Sequence, residues 1–402
     1  MNPNQIPIEG NRGNYLIEII KKEHPINTEV GAEEFRTAES SRKYVETANQ
    51  LIAAGDALMS ATHDSGEDRK EYHTSEHPKA LYSRADKMAD ILELSPERLL
   101  LAKLAISYHD VVINVKNPPE YNPANPKSIL AMATRERGAR EGDFPRGKDG
   151  NEAKSAELLE QSMRSRVGRD GQTIFSEEQI DTAKFAVEAT YPGVDGGLNF
   201  AGVPFKEDPY YKEIIAQNSH IGEIIDKLAT PEIDISKGIK FFQPHLEEPL
   251  EKGEYVPEEV LILAMTDLGG SGVASPEEFA KEGDSEFREL YMNIGKNFKT
   301  LFEPDKTIER AEVVQAMQKW LKSQTSFVVW QMMRFEKILL LLKKNDQLND
   351  PNKEEKLRRN FSFYETNINA SLGRVTRITE ETKDGGEFEA FKHIAKEMGY
   401  NV

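Results

Sequence analysis

The chain has no cysteine in 402 residues. Disulfides, thiolate nucleophiles and cysteine-ligated zinc are therefore excluded, and any metal has to be held by His, Asp or Glu. Long hydrophobic runs are missing too: none approaches the roughly 18 to 20 apolar residues of a membrane helix. The opening stretch MNPNQIPIEGNRGNYLIEII has no basic region followed by a long apolar run, so no signal peptide is expected. Positive charge is in short supply, with 52 Lys and Arg against 69 Asp and Glu and a net charge of −17. That balance argues against a general nucleic-acid binder, whose affinity rests on basic surface. A small phosphorylated substrate is still allowed, because it needs only local positive charge or a metal. The expectation is a soluble, acidic, cytoplasmic protein without nucleic-acid or membrane partners. With 38% hydrophobic residues it is large enough for one big domain or two ordinary ones. Its oligomeric state is not legible.

What is present is concentrated in Leu99 to Ile113, LLLAKLAISYHDVVI. The stretch is apolar on almost every side, so as a helix it would be buried all round. Yet it carries His109 and Asp110 together. An ionised carboxylate in such surroundings costs several kcal/mol unless a partner charge or a metal compensates it. By itself the pair could equally be a core histidine satisfied by its neighbour.

In chain order, residues 1 to 31 read as a loosely structured lead-in. Helical spacing of apolar residues begins near Ala32 and runs to Ala61, with Phe35, Tyr44, Ala48, Leu51 and Leu58 recurring at three and four. The polar run HDSGEDRKE follows as loop, and its His63-Asp64 pair is read as solvated surface. Ser75 is a candidate cap for a helix with Glu76 and Pro78 in its first turn. His77 lies in that turn and His73 four residues earlier. After Ile113 the run NVKNPPEYNPANPK is loop. Helices are expected at Asn151 to Met163 and, capped by Ser176, up to Thr190. An irregular, aromatic- and glycine-bearing insert occupies about 195–256, with one helix at Tyr210 to Leu228. Pro257 opens EEVLILAMTDLGG, a third strongly apolar helix ending in Asp267. Glu278 to Phe302 and the very long Thr307 to Lys344 follow, then a charged tail over 346–402 with an amphipathic helix near Phe388 to Met398. Few strands are evident and no repeat. The fold class is all-α.

Three separated apolar helices thus carry ligand-type side chains: His77, His109 with Asp110, and Asp267. Two imidazoles and two carboxylates suit a divalent metal, and the carboxylates offset its charge. Asp267 sits at a helix C-terminus, where the helix dipole disfavours it. Three such misfits together point to a metal site.

The ordered pattern of His77, His109-Asp110 and Asp267 resembles the HD-domain superfamily of metal-dependent phosphohydrolases. YHTSEHPKAL is similar to the YHNxxH signature of class I cyclic-nucleotide phosphodiesterases and a related bacterial group. NEAKSAELL resembles the glutamate-bearing helix after the HD pair, FSEEQIDTAKFAVEATYP the next helix, and MTDLGGSG the position of the last aspartate. KSQTSFVVW has Gln324 and Phe327 at the QxxF spacing that grips the base in the cyclic-nucleotide enzymes. The likeness spans roughly residues 35 to 340. Asparagine of YHN is replaced by Thr74, the second histidine of HDxxH by Ile113, and the bacterial group's histidine after the "AT" helix by Tyr191-Pro192.

The resemblance implies a compact multi-helix HD bundle over 32–345, with the insert and a C-terminal helical tail packed on it. It implies a metal (Mn, Mg, Ni, Zn or Fe) on His77, His109, Asp110 and Asp267. One ion per chain is expected, given Ile113. His73 would protonate the leaving oxygen, Asp110 would act at the reacting centre, Glu152 would orient a water or ligand imidazole, and Gln324 and Phe327 would hold a base. The implied reaction is hydrolysis of a phosphoester of a small nucleotide-like molecule. The alternatives are a cyclic-nucleotide phosphodiesterase proper, and a regulatory protein that binds metal or nucleotide without turnover.

Overall fold

The computed structural model describes residues 38–402 apart from 66–68, 136–149, 169–170, 196–202, 230–234, 236, 239 and 383–385. The expected lead-in over 1–31 therefore lies outside the described residues. The described chain is built from helices, as expected of an all-α protein. In order these are α1 (Ala38–His63), α2 (Glu76–Leu92), α3 (Pro96–Tyr108), α4 (Asn151–Arg164), α5 (Glu177–Glu188), α6 (Tyr211–Gln217), α7 (Ser219–Leu228) and α8 (Pro244–Glu251). They continue with α9 (Glu258–Asp267), α10 (Gly270–Val273), α11 (Pro276–Leu290), α12 (Met292–Lys296), α13 (Thr307–Lys344), α14 (Pro351–Asn360), α15 (Tyr364–Thr382) and α16 (Gly386–Glu397). None of these is long and apolar enough to cross a membrane.

α3 is the buried helix that the sequence requires. Ser95 accepts from the Arg98 amide to start it and Pro96 takes the first turn. Leu101, Ala102 and Leu104 to Tyr108 are all buried. It ends five residues earlier than Leu99 to Ile113 suggested, because the chain turns at His109. α1 crosses it closely at Gly55, where an added Cβ would lie 2.6 Å from the Ser107 carbonyl oxygen. The Arg98 guanidinium binds Glu258 and Glu259 at the start of α9, tying the two apolar helices together.

α13 is the spine. Its second half, from Thr325 to Leu342, is buried apart from Phe327 and sits in the main core with α1 to α5 and α9. The KILLLL run therefore packs within the domain. Its first half supplies Val313, Met317 and Leu321 to a second core with Phe287, Phe298, Ile378, Phe391 and Ile394. That second core takes residues from both sides of position 345, so the C-terminal helices share a core with the preceding chain.

The insert is more ordered than its composition suggested. It carries α6, α7 and α8 and two antiparallel strand pairs, Gly193–Asp195 with Lys240–Phe242 and Val203–Pro204 with Lys237–Gly238. It seats on α13 where Gly238 meets Ser326, leaving no room for a Cβ, and its carbonyl accepts from the Trp330 indole.

Candidate metal centre

Three helix ends meet at one point. His77 is the second residue of α2, His109 follows the last turn of α3 with Asp110 next to it, and Asp267 is the last residue of α9. His77, His109 and Asp267 can each offer a ligand atom, all within 4.8 Å of one another, so the group can hold a metal ion. His77 Nε2 lies 3.3 Å from Asp267 Oδ1 and 3.6 Å from Asp110 Oδ2. His109 Nε2 lies 3.0 Å from Asp110 Oδ2 and 3.9 Å from Asp267 Oδ1.

The nitrogen chemistry fits a cation. His109 Nδ1 is 2.7 Å from the Ile106 carbonyl, which can only accept, so Nδ1 carries a hydrogen and in the neutral imidazole Nε2 is the atom with the lone pair. Nε2 of both His77 and His109 is buried and makes no hydrogen bond. Two imidazole lone pairs facing two carboxylates are costly unless a proton or a metal ion lies between them. The imidazole side chains are 4% and 1% exposed, whereas Asp110 and Asp267 are 16% and 14% exposed. The solvent side of the centre is thus the carboxylate side, where a water or substrate oxygen could enter.

Without metal the charges lean on one another. Burial opposes a proton on His109, but Asp110 and Asp267 outweigh it and raise its pKa to about 9. Burial pushes Asp110 up, yet the imidazoles of His109, His73 and His77 hold it well below the usual carboxylate range.

His73 lies on the rim, with Nε2 3.9 Å from Asp110 Oδ2. Its Nδ1 donates to Glu289 Oε1 at 2.8 Å, and the amides of Tyr72 and His73 both donate to Glu289 Oε2. Glu289, on α11, fixes the tautomer of His73 and its height above the centre. Sequence reasoning missed it, since 216 positions separate the two and α11 carries five other Glu or Asp.

The HD turn is held from behind by residues whose role the sequence also concealed. His63 was expected at the surface; it is buried, 1% exposed, and its Nε2 donates to the Asp110 carbonyl at 3.0 Å. Burial, opposed by that carbonyl, keeps its pKa below the ordinary value. Asp64 accepts from the Ser75 amide at the entrance of α2, so this pair braces the site. The correction has a simple cause: α1 runs two residues further than Ala61, carrying His63 under α3. Ser75 makes no side-chain cap; the Thr74 hydroxyl accepts from the Glu76 amide instead. The first residues of α4 close the other side, with Ser155 Oγ accepting from the Val112 amide and Asn151 Oδ1 from the Asn114 amide. Arg84 donates to the Thr266 carbonyl and pairs with Glu282, offsetting the negative helix end at Asp267.

Glu152 is half-buried in the first turn of α4, beside Asn151. Gln324 and Phe327 are not brought to the ligands. Gln324 lines a cavity on another side of α11 that none of His77, His109, Asp110 or Asp267 lines, and Phe327 stacks at 6.4 Å on Phe279, which also lines it. Ile113 is half-buried just beyond the HD turn. Of the remaining histidines, His245 packs against Tyr191, while His220 and His393 sit beside glutamates. Comparison of the chain with protein-family models, curated proteins and solved structures finds no match.

Proposed function

We propose that the chain is an HD-type metal-dependent phosphohydrolase that cleaves a phosphoester of a small, nucleotide-like molecule. The observation that carries the reading is the convergence of His77, His109, Asp110 and Asp267 with two buried imidazole Nε2 atoms left without hydrogen bonds. A divalent ion held there, one per chain, would supply Lewis-acid chemistry, polarising a phosphoryl oxygen and making water a better nucleophile. His77, His109 and Asp267 hold it, and Asp110 stands between the ligands and His73. His73, its Nδ1–H held by Glu289, would act as the imidazolium and give the proton on Nε2 to the leaving oxygen. The helices around α2, α3, α4, α5 and α9 would be the HD bundle, with 195–256 as its insert and α14 to α16 as its extension.

The deciding experiment is a panel of phosphomonoesters and phosphodiesters assayed with Mn, Mg, Ni, Zn and Fe. Turnover that Asp110→Ala abolishes supports the proposal. Tight nucleotide binding with no product under any metal would refute it in favour of a regulatory binding protein. The position of Gln324 away from the ligands gives the narrower reading, a cyclic-nucleotide phosphodiesterase, no added support.

A further inference from the structure

A cavity lies apart from the metal centre, with none of His77, His109, Asp110 or Asp267 in its lining. About 760 Å³ lies in a cleft, open on one side, between α11, α13, α15 and α16, within the size range of small-molecule sites. α11 is the wall between the two regions. Glu289 reaches His73 on one side, while Asp284 and Arg288 line the cavity on the other.

Its chemistry runs against that of the chain. In a protein of net charge −17, the cavity is lined by five cations, Lys281, Arg288, Arg374, Arg377 and Lys396. Against them stand three acids, Glu277, Asp284 and Glu397. Two of the arginines are held in place. Arg374 makes a bidentate pair with Asp284 at 3.0 and 2.8 Å and donates to the Glu397 carbonyl, and Arg377 is bidentate to the Glu397 carboxylate. Arg288 donates to the Met398 carbonyl and Ser285 and pairs with Glu71 at 3.6 Å, so the positive surplus rests on the two lysines. Lys281 and Lys396 form no ion pair among the described residues. The result is a fixed guanidinium frame with two uncommitted ammonium groups, a surplus of positive charge that an anion would satisfy. Phe279, Leu321 and Ala370 give the same cavity an apolar floor.

We infer that this cavity is a second ligand site, separate from the metal centre, for a small organic anion with one apolar face, of the aryl or alkyl phosphate class. The inference does not depend on the hydrolase reading. Phenylphosphonate is a suitable probe, because its carbon–phosphorus bond resists hydrolysis. It is titrated by calorimetry into EDTA-stripped full-length protein. The expected result is one site per chain with a Kd below about 1 mM, weakened at least about tenfold by the double charge reversal Lys281→Glu, Lys396→Glu. Both lysines are exposed, so folding is preserved, and a thermal melt checks this. His109→Ala should leave the affinity unchanged. No binding up to that concentration overturns the inference. So does binding that survives the charge reversal, or binding that vanishes in His109→Ala and therefore belongs to the metal centre.

Discussion

Metal binding at this centre should be steeply pH-dependent, and the geometry sets the slope. In the metal-free protein Asp110 and Asp267 overcome the burial of His109 and raise its pKa to about 9. The proton sits on Nε2, because Nδ1 is committed to the Ile106 carbonyl. That is the atom a metal must use. Asp110, held well below the usual carboxylate range, has no proton to give up. One proton therefore leaves His109 per ion bound. Apparent affinity should rise about tenfold per pH unit from near neutrality and flatten above the His109 pKa. The same group makes the metal-free fold pH-sensitive. Its folded pKa lies above the unfolded value near 6.5, so its stabilisation, on the order of 3 kcal/mol, is fully present below about pH 6.5. It is lost as pH rises through about 9. Metal replaces that contribution, adding about 2.7 kcal/mol at a hundredfold excess over Kd. Calorimetric titration of EDTA-stripped protein with Mn or Zn in buffers of different ionisation enthalpy counts the proton, and denaturant melts follow the stability. A metal affinity that is flat across this pH range, or unfolding indifferent to metal, would refute the reasoning.

Glu289→Gln places an amide NH2 opposite His73 Nδ1 and so moves the imidazole hydrogen to Nε2. Hydrolysis of phenyl phosphate, whose leaving group needs an acid, should fall by about 100-fold or more, and p-nitrophenyl phosphate by less than about tenfold. Equal losses on the two substrates would remove His73 as the acid. Gly55→Ala, which would stabilise an exposed helix by roughly 1 kcal/mol, should here cost about 1 to 3 kcal/mol, because the new methyl meets the Ser107 carbonyl. Urea unfolding that shows a gain would contradict the α1–α3 crossing.

Much of the helical framework was legible. α13 matches the expected Thr307 to Lys344 at both ends, and α9 runs from the residue after Pro257 to Asp267. Periodicity and caps are local properties, so they survive without tertiary knowledge. The insert was less legible, because Gly193, Gly238 and Trp330 have meaning only once strand pairs and α13 bring their neighbours close. His63 was misread for the same reason: a polar run looks solvated until a helix places its first residue beneath another.

By itself the sequence determined which residues form the candidate centre. His109-Asp110 and Asp267 stand out because ionisable groups in otherwise apolar helices demand a partner, and that demand is written in composition and spacing. Only the tertiary structure decided what surrounds them. Glu289 was selected from the several acids of α11, His63 was turned inward, and Gln324 was carried to a separate cationic cavity. Each depends on contacts between segments far apart in the chain, set by how helices cross and invisible to any local pattern.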